Sequence, residues 1–299
     1  MEEILLYIWR WKIVPTWMVQ RRFFEHHHYQ AAYDALTYAK SRKLVSVSGC
    51  VKSRRYGWTL AEKGFKRIER KLQFLKERGF RTEAPSHDLL VAVIHGGLTR
   101  LYMDVDPPHV LSEQQLRRID PDRLPSWCPR YLDRRPDGMW WIPKRKQVVA
   151  LEVEISRKEV ISYMRILDAY SLTRTLHHIV WVAGSGSIRN HILRGGESGW
   201  RTNPYHTWTV LLRDVERLGF SSVLQNVRGE ACAFGDMVYC LCNVPSQLFG
   251  KVNPFDLRIS LKNINQDQKE VPQAESRLCV PPTSAPPPVL IPTFNQENG

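Results

Sequence analysis

Three acids gather around one apolar strand in "RRPDGMWWIPKRKQVVALEVEIS", residues 134–156: Asp137 just before "MWWI", and Glu152 and Glu154 at the end of "VVALEVE". Carboxylates at the end of such a strand are costly unless something pairs with them. Alternate strand residues face opposite sides, so Val149, Leu151, Val153 and Ile155 form one apolar face. Val148, Ala150, Glu152 and Glu154 form the other, with the two glutamates about 7 Å apart at Cβ. A hairpin through the basic turn Lys144, Arg145 and Lys146 brings Asp137 across to them. Lys158, expected one turn into the following helix, leans back towards the strand end. Asp137, Glu152 and Glu154 together suit a divalent ion with oxygen ligands, Mg2+ or Mn2+. Such an ion binds a scissile phosphate, lowers the pKa of a bound water and stabilises an in-line displacement. Spacing leaves a structural alternative open, in which Glu152 and Glu154 pair with local cations such as Arg157 or Lys158.

Other residues have two readings each. His87, in "SHDLLV", opens a helix and could approach the same pocket as a base or ligand, or serve as a cap. Asp88 beside it reads as a first-turn acid favoured by the helix dipole. Tyr163 and Tyr170 share a helix face, where packing on the sheet explains them; a nucleophilic tyrosine would need an activating His-x-His cluster, and none is seen. The turn Lys144–Lys146 would lie near the pocket and touch a phosphodiester backbone, or be an ordinary solvated turn. The triple histidine His26–His28 reads as a turn rather than a metal site.

The elements that position these residues form two blocks and a tail. Residues 1–80 have the rhythm of a winged helix-turn-helix: helices "EEILLYIWRW", "PTWMVQRRFF" and "HYQAAYDALTYAKSRK", then short strands Leu44–Val47 and Tyr56–Leu60. In the third helix Ala32, Leu36 and Ala39 make a packing stripe, while Gln30, Tyr33 and Thr37 are free to meet a groove. The loop between the strands carries Lys52, Arg54 and Arg55, cations suited to phosphates. "AEKGFKRIERKLQFLKERGF" reads as a charged helix leading out of the domain. Residues 85–250 begin with the apolar helix "SHDLLVAVIHGGLTRLY" and a polar loop to about residue 130. The two acid-bearing strands follow, then helix "RKEVISYMRILDAYSL", strand "HHIVWVAG", helix "SIRNHILR" and strands "YHTWTVLL" and "MVYCLCNV". This order implies an α/β fold, a mixed sheet covered by helices. The Pro-rich residues 251–299 read as a disordered tail.

Bulk properties favour a polyanionic partner. The chain of 299 residues carries a formal net charge of +13, and its first 80 residues hold 17 Lys/Arg against 7 Asp/Glu. Such a balance points first to nucleic acid. The six cysteines form no Cys-x-x-Cys pair, and the acidic start lacks a signal-peptide pattern, so a cytoplasmic protein with reduced thiols is expected. No apolar run approaches the roughly 20 residues of a membrane span.

"PDG" at Pro136–Gly138, followed about 15 residues later by "EVE" ending an apolar strand, resembles the PD-(D/E)xK nuclease core. With the winged-helix pattern in front, and "EVEISRK" leading into a Tyr-containing helix, residues 1 to about 215 resemble the replication-relaxation family. That family includes MobC-type relaxases of mobilisable plasmids. The resemblance implies a restriction-endonuclease-like domain with Asp137 and Glu152 as metal ligands and the Val153 carbonyl as a third. It implies nicking of double-stranded plasmid DNA at a transfer origin, with accessory mobilisation proteins as partners. The core pattern expects lysine where this chain has Glu154. Three explanations stay open: Lys158 supplies the missing charge, Glu154 is an added ligand, or the site is degenerate and the protein only binds DNA as a replication or regulatory factor. A transposon-type nuclease subunit would share the chemistry.

Overall fold

The computed structural model describes residues 1–50, 55–72, 74–101, 110–173, 175–199 and 206–239. The N-terminal lobe runs α1 (Glu2–Trp11), β1 (Ile13–Val14), α2 (Thr16–Phe23), α3 (Tyr29–Ser41), β2 (Val45–Cys50), β3 (Arg55–Leu60) and α4 (Glu62–Ile68). Ile4, Leu5, Ile8 and Trp9 recur at helical spacing and are buried along α1, whose first turn holds Glu2 and Glu3 at the positive end of the dipole. Pro15 stands at the N-cap of α2, where its missing N–H costs nothing. The α3 stripe Ala32, Leu36 and Ala39 is fully buried, and Gln30, Tyr33 and Thr37 are exposed. The strands form an antiparallel sheet in the order β1-β3-β2, with Ile13 opposite Thr59 and Val45 opposite Leu60. Both hairpin strands extend further towards the turn than expected. Lys52 and Arg54 lie outside the described residues, and Arg55 opens β3.

The long helix expected over residues 61–80 is not formed. α4 tightens into a 3-10 turn at Glu69–Lys71. Beyond it the backbone pairs elsewhere: Lys76 N–H donates to the Arg118 carbonyl and Asp120 N–H to that of Phe74. The partner of that pairing is the stretch expected to be a loop, which contains β4 (Val110–Ser112), α6 (Glu113–Arg118) and a 3-10 turn at Pro121–Arg123. A Ser112/Gln115 capping box starts α6, and "SEQQ" carries its pattern.

The remaining elements are α5 (Pro85–Leu101), β5 (Gly138–Ile142), β6 (Gln147–Glu154), α7 (Val160–Ser171), β7 (Leu176–Ala183), α8 (Gly186–Gly199), β8 (His206–Leu211), α9 (Leu212–Leu218), β9 (Val223–Asn226), β10 (Ala231–Ala233) and α10 (Phe234–Tyr239). The seven-stranded sheet has the order β10-β9-β8-β7-β6-β5-β4. β6, β7 and β8 are parallel and joined through α7 and α8; the other pairings are antiparallel. α5, α9 and α10 cover one face, contributing Ile94, Val215 and Phe234 to a core with Leu151 and Val180. α7 and α8 cover the other, where Tyr163, Ile166 and Ile192 meet Ala150 and Ile179. A sheet covered on both sides tolerates near-continuous apolar strands, and β6 is buried from Val148 to Glu154. The fold is therefore mixed α/β, as the element order implied. Ile155, expected on the core face, is past the strand and exposed.

Two other expectations fail locally. Met237–Tyr239 belong to α10 instead of opening a strand, and the rest of "MVYCLCNV", with residues 251–299, lies outside the described residues. Lys158 precedes α7, which begins at Val160 with Glu159 as N-cap. α5 ties the lobes together: Leu89, Ala92 and Val93 pack into the N-terminal core while Val91 and Ile94 pack into the sheet core. Among the described residues no helix is long and apolar enough to cross a membrane.

Candidate metal and catalytic site

The hairpin register decides where Asp137 goes. Gly138 pairs with Leu151, so Asp137, one residue before β5, falls beside the end of β6. Its Oδ2 accepts from the Val153 N–H at 2.7 Å. His87, from the first turn of α5, points its Nε2 at the same oxygen, 3.2 Å away, and donates to the Val153 carbonyl at 2.9 Å. Asp137 thus closes onto the peptide between the two glutamates. His87 gains two acidic neighbours, because its Nδ1 lies 3.5 Å from Asp88 Oδ1. Burial works against a charge on the ring, yet the bonds to Asp137 and Asp88 push His87 up to about 10. The imidazolium is the form that serves both neighbours.

Glu152 points to the α7 side and is 4% exposed. The Tyr170 hydroxyl donates to its carboxylate, and Arg134 Nε approaches at 3.3 Å. Burial raises the Glu152 carboxyl, and the nearby charge of Asp137 raises it further, to about 7, although Arg134 and Tyr170 pull the other way. Burial also lifts Tyr170 well above its usual range, with Glu152 adding to the effect. Tyr170 therefore packs on the sheet and positions Glu152. Tyr163 is likewise buried, and its hydroxyl accepts from the Lys158 N–H at 3.2 Å.

Glu154 is held differently. Its carboxylate pairs with Lys158 Nζ and accepts from the Ser156 N–H and hydroxyl. The local-cation reading thus describes Glu154 with Lys158, while Glu152 takes Arg134, which spacing did not suggest. Among the described residues no group of three His, Cys, Asp or Glu side chains is arranged to hold a metal ion. Asp137 Oδ2 and the Val153 carbonyl converge on His87 Nε2, and Glu152, the residue before Val153, is turned towards Tyr170 on α7.

The basic turn does not lie near the pocket, contrary to expectation. Pro143–Arg145 form a 3-10 turn and Lys146 is left-handed with φ 51°. They join β5 to β6 at the end opposite the acids, and Glu154 closes the eight-residue β6 that follows the turn, roughly 26 Å from Lys146 at about 3.3 Å per residue. Arg145 and Lys146 are exposed there, as are His26–His28 in the turn before α3.

Sequence reasoning missed Arg134, Tyr170's role towards Glu152, and Asp88. Asp88 is buried, bonded by Thr82 and paired with Lys12 at 3.3 Å. Burial alone would raise its carboxyl, but His87, Lys12 and Thr82 hold it below the usual value. The double acid-plus-arginine run "DRRPD" was the only available signal for Arg134. Compared with known proteins, the chain matches no family model, no curated protein and no solved structure.

Proposed function

We propose that this protein is a metal-dependent DNA endonuclease of relaxase-like type, with α1–α4 acting as a winged-helix DNA reader and the seven-stranded sheet as a PD-(D/E)xK-like nuclease layer. The carrying observation is the closure of Asp137 onto the Val153 peptide beside buried Glu152. The donors suit a hard divalent ion, since all are oxygens and two are carboxylates. His87 already presents a cationic N–H to two of them. A bound Mg2+ or Mn2+ would be held by Asp137, Glu152 and the Val153 carbonyl, and would supply polarisation of the phosphate and a water of lowered pKa. Tyr170 and Arg134 orient Glu152, His87 orients Asp137, and Lys158, 39% exposed beside Glu154, offers a cation to a phosphodiester. The partner is double-stranded DNA at a plasmid origin, with accessory mobilisation proteins, as the resemblance implies.

One observation favours a second reading. Glu154 stands where the core pattern has lysine and is already paired with Lys158, which suits a DNA-binding replication or regulatory protein with a degenerate nuclease fold. Incubation with supercoiled plasmid separates the two. The endonuclease nicks it with Mg2+ or Mn2+ and not with EDTA, and Asp137→Ala and Glu152→Ala lose nicking while retaining DNA binding in gel shifts. Wild-type cutting by both variants, or none by the parent protein, sinks the nuclease reading.

A further inference from the structure

Lys12 ends α1 with a backbone that suits a lysine poorly. Its φ is 61° and its ψ −42°, a region that L side chains rarely adopt and that glycine enters freely. A strained residue persists where its surroundings hold it. Here the surroundings are acidic: the ammonium lies 3.3 Å from Asp88 Oδ1 and also pairs with Glu113, with the lysine side chain 13% exposed. Ser112 secures the same corner by donating to the Arg10 carbonyl at 2.6 Å, and Arg10 donates to the Val110 carbonyl. The end of α1 is therefore built into β4 and α6 at the edge of the seven-stranded sheet. From Lys12 the polar contacts run on without a gap, through Asp88 to His87 and from His87 to Asp137 and the Val153 carbonyl.

We propose that Lys12, a residue of the N-terminal lobe, is a positioning residue of the site at the end of β6, and that through it the seating of that lobe sets how firmly Asp137 is held. The chain of contacts explains why strain is kept at this position. A glycine would relax the backbone but leave Asp88 and Glu113 without their shared cation, and His87 with a repositioned neighbour. Groups that orient a metal's ligands in this way typically carry about 10–100-fold of metal affinity.

The test uses the full chain. Its metal readout rests on the endonuclease reading, and its spectroscopic readout does not. Ring nitrogen signals of His87, assigned by their loss in His87→Gln, are compared in Lys12→Met, Lys12→Gly and Lys12→Arg without metal. Met and Gly are expected to shift those signals and Arg to retain them, while Lys71→Met, in an exposed pair with Glu2, leaves them unchanged. Mn2+ affinity is expected to fall about 10–100-fold in Met and Gly and to be rescued by Arg. Should Lys12→Met not fold, Lys12→Met with Glu113→Gln makes the same comparison without orphaning Glu113. Unchanged His87 signals in Lys12→Gly overturn the proposal, since a residue needed only for the turn is served at least as well by glycine. If the parent protein binds no Mn2+, the endonuclease reading fails, and the ring signals alone decide the role of Lys12.

Discussion

At Glu152 burial works against the charged carboxylate. Its carboxyl is raised from an ordinary 4.5 to about 7 by burial and by Asp137. A raised carboxyl contributes stability that is complete below about 4.5 and lost as pH rises through about 7. Glu152→Gln keeps an acceptor for Tyr170 and removes the charge, and Arg134, partly exposed, can turn to water. The variant should match the parent near pH ~4.5 and be more stable by roughly 1–3 kcal/mol near pH ~8, read from urea melts, while losing nicking. A variant less stable than the parent at both pH values contradicts this. That Asp137 falls beside the end of β6 was legible, because hairpin pairing fixes which residues of the two strands lie opposite. The role of Asp88 was not, because Lys12 lies 76 residues away and no local pattern announces a contact of that range.

At the scale of elements, the entry to β5 aims the site, and it is tightly packed. Gly138 precedes "MWW" and follows Asp137; a Cβ there would lie 2.1 Å from Nε2 of His95. That ring is fully buried, accepts from Trp140 Nε1 at 2.9 Å and is kept neutral by burial, which lowers it to about 3. It has little room to give. Gly138→Ala should destabilise the fold by roughly 1–3 kcal/mol and weaken Mn2+ binding by moving Asp137; a neutral result in both assays would show that β5 is not held this closely. Most elements were legible from periodicity, as with the α3 stripe and the apolar β6 and β7. Those missed depend on distant partners. The helix after β3 stops at Ile68 because residues 74–76 pair with 118–120, and "SEQQLRR" becomes α6 beside that pairing although its polarity reads as loop.

For the whole molecule, charge placement matters more than total charge. Ten of the thirteen excess positive charges fall in the first 80 residues (17 minus 7), in the lobe proposed to read DNA. If the proposed DNA reading holds, Arg54 and Arg55 contact phosphates, so replacing both with Ala should weaken binding to every duplex. The slope of log affinity against log salt should flatten by about 0.9 for each phosphate that is no longer neutralised. Weakening confined to one sequence would instead make them base readers.

The proposal that Asp137 and Glu152 jointly hold a divalent ion is tested most directly by titrating the full chain with Mn2+ and following free Mn2+ by its paramagnetic resonance. The parent protein should take up one ion, and Asp137→Ala and Glu152→Ala should each lose that uptake while retaining the fold in circular dichroism. Equal uptake by all three proteins, or by none, would contradict it.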